Sequence, residues 1–416
     1  MSKKLQKKIN TETLINLSKE YGNAFYLLDS DAFKENYVEL SNAFKKYYPK
    51  FNIAYSYKTN YIPKLVKIVN DFGGYAEIVS DMEEQIAIHS GVEYNRIIWN
   101  GPIKNKEKIE EFLLCGGMVN IDSKQEADII FSIAKRHLDK KLHVGVRCNF
   151  DVNDGVMSRF GIDVEGNDFD YVLSYIKNAK NIDLVELQCH FAKRLSKYWS
   201  KRADGMLNIY DRVVKDYNLK PQRIDLGGGI YGKMPDDLKN QLGLGNSENY
   251  DSYAEAAAKK FADHFANVPD APELVIEPGS ALAGDCMKFV SRIETFKNVR
   301  GKDIATVIGS QKNISMSGIN PPYEIVPGLR EEETIDYKDV DIAGFTCIEG
   351  DVLVRNHSGK LSIGDFLVIS NCGSYSIVMK PPFILPNFAV LDICGDNCEV
   401  IKRAENFEDL FRTYIF

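Results

Sequence analysis

The sequence predicts a (β/α)8 barrel of the TIM type followed by an antiparallel β domain, itself a barrel or a sandwich. Two observations predict it. Between about residues 24 and 280, short apolar runs alternate with stretches of helical period, roughly eight times over. That alternation builds a parallel sheet covered by helices, and over so many residues a closed barrel fits it better than an open doubly wound sheet. After Pro278 the texture changes to short runs rich in Val, Ile and Phe, broken by Gly, Pro and Asn. Such runs read as antiparallel strands.

In chain order the apolar runs are Ala24–Leu28, Ile53–Tyr57, Tyr75–Val79, Arg96–Trp99, Met118–Ile121, His143–Val146, Leu184–Leu187, Arg223–Leu226 and Leu274–Ile276. Helical period marks Ile62–Phe72, Met82–His89, Gln125–His137 and Tyr253–Val268 between them. Val352–Val354, Phe366–Ile369 and Ala389–Ile393 are strands of the second domain. The expected division is 25–282 for the barrel, with 283–416 forming the β domain and 1–24 packed on it. No repeat or long linker separates them. The segment Lys233–Asn249, rich in Gly, Asn and Asp, either shapes a pocket or is a plain surface insertion.

A chain of 416 residues holds two domains with ample core. Its net charge of −7 announces no basic face, which argues against nucleic acid as a partner. The basic residues Lys3, Lys4, Lys7 and Lys8 read as a solvated tail. No apolar run reaches the roughly 18 residues of a membrane span, and no signal peptide is visible. Eight cysteines are scattered without a CxxC pair, so free thiols in a reducing cytoplasm are expected. Six histidines show no ligand spacing, so no metal is expected.

Five features carry chemistry. Lys58 ends the run Ile53-Ala-Tyr-Ser-Tyr-Lys-Thr-Asn60, at the strand C-terminus where barrels do their chemistry. Burial there disfavours the ammonium, and a neutral amine can form a Schiff base with an aldehyde. Taken alone, Lys58 reads more readily as a surface lysine after an edge strand. His190, in Gln188-Cys-His190, could stack on a flat ring or be an ordinary satisfied histidine. Asp225-Leu-Gly-Gly-Gly229 offers either N–H groups to a phosphate or a tight turn. Glu277, in Val275-Ile-Glu-Pro-Gly279, could accept a hydrogen bond from a protonated ring nitrogen or serve structure. In the β domain, Cys347-Ile-Glu-Gly-Asp351 and Gly373-Ser-Tyr375 are each weak alone.

Together, in this order, these features resemble the alanine-racemase-fold (fold type III) pyridoxal phosphate decarboxylases, the diaminopimelate and ornithine decarboxylase family. The resemblance extends over about residues 22 to 400. It includes Tyr75–Glu83, Asn100-Gly-Pro-Ile-Lys104, Ile121-Asp-Ser123 and Ser158-Arg-Phe-Gly-Ile162. It implies pyridoxal 5'-phosphate as cofactor. It makes Lys58 the residue that carries the cofactor and His190 the one that stacks on its ring. Gly228 and Gly229 become phosphate donors with Tyr375, and Gly279 and Ser280, in the run that bears Glu277, become cofactor-binding residues. Glu277 becomes the partner of the ring nitrogen and Cys347 the acid that reprotonates the product. Asp351, Tyr323 and Ile348 are candidate substrate contacts. In this family the Cys347 loop usually comes from a partner subunit, which implies a homodimer with shared active sites.

The chain departs from the family pattern at several positions. Phe191-Ala-Lys-Arg194 stands where Gly-Ser-Gln usually follows the histidine, and Ser280 replaces the arginine of Glu-Pro-Gly-Arg. Residues 313–329 contain no arginine, and Ile348 replaces a glutamate. A bidentate arginine is hard to replace where a carboxylate must be read. The expected activity is therefore loss of CO2 from an amino acid or amino acid conjugate other than standard meso-diaminopimelate. A racemase or epimerase, or a non-catalytic cofactor-binding protein, are the alternatives. Lys193 or Arg194 is expected to replace the positive charge missing at 280, unless both are solvated. Trp199 and Arg202 either line a pocket or simply pack or face solvent.

Overall fold

The computed structural model describes residues 10–244, 248–314, 320, 322–329, 333–394 and 397–415. It forms two compact units. One comprises Lys34–Gly232 and Asn246–Leu282; the other comprises Met1–Phe33, Lys233–Gly245 and Ala283–Phe416. Lys3, Lys4, Lys7 and Lys8 lie outside the described residues, as do 245–247 of the glycine-rich segment and 315–319 and 321 of the arginine-free stretch.

The first unit is a closed parallel barrel. Its strands are β1 (Phe51–Ser56), β2 (Tyr75–Ile78), β3 (Ile97–Trp99), β4 (Met118–Ile121), β5 (Leu142–Asn149), β6 (Ile182–Gln188), β7 (Arg223–Asp225) and β8 (Glu273–Ile276). Each pairs with the next, and β8 closes on β1 with Leu274 opposite Phe51. Helices cover the outside, and their starts are written in the sequence. Ser80 and Ser123 accept from the N–H groups of Glu83 and Glu126 three residues on, and those glutamates reach back to the N–H groups of Val79 and Asp122. This resembles a capping box shifted by one residue.

Side chains alternate across a strand, so residues two apart share a face. Ala54, Ile98, Met118, Val185 and Val275 pack with Tyr75 as one apolar cluster. Two residues further along most of these strands come Ser56, Glu77, Asn100, Asn120 and Glu277, all buried. The barrel is therefore apolar at one level and polar at the next, toward the strand C-termini. A register shift in the β5–β6 pairing, between Val144 and Gly145, puts Glu186 and Gln188 on this polar level as well. Gly145 makes room for it: a Cβ there would lie 1.8 Å from Asn120 Oδ1.

The second unit differs from expectation in two ways. Ala24–Leu28, read as the barrel's first strand, belongs here, between Met287–Val299 and Ala389–Cys394. Its alternation buries Phe25 and Leu27 with Leu14, Leu17, Val290, Phe366, Val368 and Leu391. The sheet is also mixed rather than antiparallel. Ala24–Leu28 runs parallel to Ala389–Cys394, and Lys302–Val307 runs parallel to Ile335–Ala343. Strand direction depends on which partner a strand finds, and a local apolar pattern does not carry that information. Among the described residues no helix is long and apolar enough to cross a membrane.

Buried Asp392 fixes the chain just after that first strand, accepting from Ser30 N–H at 3.0 Å and from Ser30 Oγ at 2.7 Å. Asp392→Ala leaves both donors unpaired and should cost roughly 2–3 kcal/mol. A fall in urea midpoint, absent in Asp336→Ala on an exposed strand residue, is the expected result.

Candidate active site

Lys58 stands not in β1 but on a single 3-10 turn, Tyr57–Thr59, directly after it. Its side chain is about a third exposed, and its Nζ is ion-paired with the buried Glu77 carboxylate at the end of β2. Ser56 Oγ donates to the same Glu77 oxygen at 2.5 Å. The turn packs against the loop after β8: a Cβ on Gly279 would fall 1.9 Å from Thr59 Oγ1, so only glycine fits.

Glu77 begins a chain of buried polar groups across the barrel. Asn100 Nδ2 donates to Glu77 Oε1 at 3.0 Å and to Glu277 Oε1 at 2.5 Å. Asn120 Nδ2 donates to Asn100 Oδ1 at 2.8 Å and to Glu186 Oε1 at 2.7 Å. Gln188 Nε2 reaches Glu277 Oε1 at 3.0 Å, and Arg223 pairs with Glu186 at 3.1 Å. Burial raises the Glu186 carboxyl to about 7 and pushes Asp225 well above the carboxylate range, with neighbouring carboxylates adding to both shifts. Glu277 goes the other way. Burial works against its charge, but the Lys58 and Arg147 cations oppose burial and help to hold it below the usual range. The Asn100 and Gln188 amides act in the same direction.

His190 follows β6 and is neutral. Burial lowers its pKa, and Gly228 N–H donates to Nδ1 at 3.0 Å, so Nδ1 is an acceptor. Nδ1 lies 3.6 Å from Glu277 Oε2, beyond a hydrogen bond. The glycine triplet follows β7. Gly227 N–H is taken by Asp225 Oδ1 and Gly228 N–H by His190, which leaves Gly229 N–H without an acceptor among the described residues. Gly279 N–H is likewise without one. Of the two expected phosphate donors, then, Gly228 is already engaged and Gly229 is open.

One end of the barrel thus gathers an amine, an ionised buried carboxylate, a neutral imidazole and open glycine N–H groups. The model for the pyridoxal-dependent decarboxylase family, pyridoxal binding domain, matches residues 35–284. The chain belongs to this family. It is a pyridoxal 5'-phosphate-dependent amino acid decarboxylase. It is similar to the diaminopimelate decarboxylase of Aquifex aeolicus, at 24% identity over 95% of this chain and 92% of that one. It superposes on a diaminopimelate decarboxylase of M. jannaschii at 22% identity with a TM-score of 0.83, over 97% of this chain and 94% of that one. It also superposes on the arginine decarboxylase of Paramecium bursaria Chlorella virus at 19% identity with a TM-score of 0.72, over 92% and 100% of the two chains. The site fits the family's cofactor: open N–H groups suit a phosphate, the ionised carboxylate a ring nitrogen, and the amine an aldehyde.

The decarboxylase's remaining candidates lie in its second unit. Cys347 and Ile348 are exposed on the turn before Val352–Leu361. Asp351, expected to touch substrate, is buried and accepts from Ser310 Oγ, Gln311 N–H and Thr346 Oγ1 at 3.0, 2.8 and 2.6 Å. It anchors the turn. Tyr323 is exposed and hydrogen-bonded to His357 at 2.9 Å. Tyr375 is half-buried with a φ of 64°. Ser280 opens a short helix after Gly279. Lys193 is exposed, whereas Arg194 lies over the Tyr231 ring at 4.1 Å and donates to Ile230 O at 2.9 Å. Trp199 and Arg202 are wholly buried.

Folded His190 resists the proton that an unfolded histidine accepts near 6.5. The sign follows: stability is full above 6.5 and is lost as pH falls. NMR titration of the cofactor-free decarboxylase should place the His190 midpoint below 6.5, with Nδ1 unprotonated at neutral pH. His190→Asn, which keeps an acceptor for Gly228, should melt less steeply with falling pH than the unmodified protein. A midpoint above 6.5 contradicts the assignment.

Proposed function

We propose that this decarboxylase releases CO2 from an amino acid, or an amino acid joined to another group, other than standard meso-diaminopimelate. Bound pyridoxal 5'-phosphate supplies an electron-accepting ring for the pair left behind when the carboxylate departs. Lys58 supplies the amine for covalent attachment, and Glu77, paired with that nitrogen, is placed to take its proton. Glu277 holds a proton on the ring nitrogen; its buried carboxylate at the barrel's C-terminal end, accepting from the Asn100 and Gln188 amides, is the observation that carries the reading. His190 offers its neutral face to the ring. Gly229 and Gly279 present N–H groups to the phosphate, with Tyr375 adding its hydroxyl. Cys347 returns a proton to the product carbon.

Ser280, Ile348 and the arginine-free stretch support a substrate without the second amino-acid end of meso-diaminopimelate. A basic amino acid or a conjugate fits. The names of the similar proteins favour a second reading, meso-diaminopimelate itself. CO2 release measured across amino acids and conjugates separates the two: the first requires a substrate with kcat/KM at least about tenfold above meso-diaminopimelate. Lys58→Ala should lose the visible absorbance band that borohydride removes from the loaded protein. Glu277→Gln should keep that band and lose on the order of a thousandfold in kcat.

A homodimer in which each site takes Cys347 from the partner subunit completes the proposal. Lys58→Ala and Cys347→Ala should then each be inactive, while refolding the two together should restore about a quarter of the wild-type sites through random pairing. No recovery on mixing argues for sites built from one chain.

A further inference from the structure

Arg202, on the helix Ser196–Tyr217, is 0% exposed. Its Nη1 donates to Leu226 O at 3.2 Å and Gly228 O at 2.7 Å, and its Nη2 to Phe191 O and Lys193 O at 2.9 Å each. These acceptors are all backbone carbonyls, drawn from the glycine turn and the loop after His190. Other buried cations of the barrel have carboxylate partners: Lys104 with Glu126, Arg147 with Asp122, Arg223 with Glu186. Among the described residues Arg202 has none. Burial lowers its pKa to about 10, which still leaves it charged at neutral pH. A buried charge without a counter-ion is costly, and an anion nearby relieves that cost.

The geometry says where such an anion would sit. A trans peptide points its C=O and the following N–H in opposite directions. Holding Gly228 C=O against the guanidinium therefore turns Gly229 N–H away from it, and that N–H is the open one. A Cβ on Gly229 would stand 3.6 Å from Arg202 Nη2. Serine stands at 280, so the loop after β8 supplies no cation there.

We propose that Arg202 is the positioning residue for the cofactor phosphate: it locks the glycine turn with Gly229 N–H facing out and supplies, from beneath, the positive charge that position 280 lacks. This rests on the reading that the glycine turn holds the phosphate. Arg194, whose side chain donates to Ile230 O and stacks on Tyr231, is the comparison.

The test titrates the cofactor-free protein with pyridoxal 5'-phosphate and with pyridoxal, which lacks the phosphate, and takes the ratio of the two dissociation constants. The unmodified protein should favour the phosphorylated form. Arg202→Met should lower that preference about tenfold or more while leaving pyridoxal affinity unchanged, as loss of a charge-assisted contact implies. Arg202→Lys, which keeps the charge but not the four-carbonyl fork, should fall between. Arg194→Met should leave the ratio unchanged. If the unmodified protein does not discriminate, the glycine-turn reading fails and takes this inference with it. If it discriminates and both Arg202 variants do so equally well, only the role of Arg202 is overturned. Should Arg202→Met not fold, an Arg202→Lys ratio equal to that of the unmodified protein overturns the proposal, and an intermediate one supports it.

Discussion

Four buried carboxylates share the C-terminal end of one barrel, and a charge on one works against a charge on the next. Glu77, Glu186, Asp225 and Glu277 are each no more than 2% exposed. Two like charges about 5 Å apart repel by about 3 kcal/mol even at an effective dielectric of 20. Amide side chains stand between them. Asn100 donates to Glu77 and Glu277, and Asn120 donates to Glu186. The charge is then distributed unevenly. Glu186 and Asp225 are pushed upward, while Glu277, facing Lys58 and two amide donors, stays ionised. Environments that drive like groups apart are how a site assigns an acid to one place and a base to another.

Keeping that network packed demands small residues at particular places. Gly145 exists because Asn120 Oδ1 occupies the space its Cβ would need, and Gly279 because Thr59 does. The second of these contacts couples the Lys58 turn to the Glu277 loop, since both approach through the same gap. The turn bearing the amine and the loop bearing the carboxylate are thus placed against each other before anything binds. Such preorganisation spares a site the reorganisation that flexible groups undergo during reaction.

The barrel was legible because its strands are short, apolar and separated by helical period; Ile97–Trp99 and Met118–Ile121 are buried throughout. Ala24–Leu28 looked the same and went elsewhere, since an apolar run does not say which sheet it joins. In the site, Lys58, His190, Gly229 and Glu277 stood out as chemistry-bearing residues at strand ends. The network behind them did not, although a signal was present. Glu77, Asn100, Asn120 and Glu277 each fall two residues after an inward apolar one, a step of one strand period. For Asp351, a candidate substrate contact, the sequence does not reveal the three internal donors that surround its carboxylate. Arg202 stayed open between lining a pocket, packing and facing solvent, because an arginine beside lysines in a helix does not announce which backbone carbonyls it will meet.

That last case shows how charge can be relocated without moving a ligand. A cation on the helix Ser196–Tyr217 sits under the glycine turn, desolvated, and acts through the peptide groups it binds. The same guanidinium also ties down the loop bearing His190, through Phe191 O and Lys193 O. One buried side chain therefore ties the loop after His190 to the glycine turn. This coupling also explains why the substituted run Phe191-Ala-Lys-Arg194 can be tolerated: its backbone, rather than its side chains, is what the guanidinium holds.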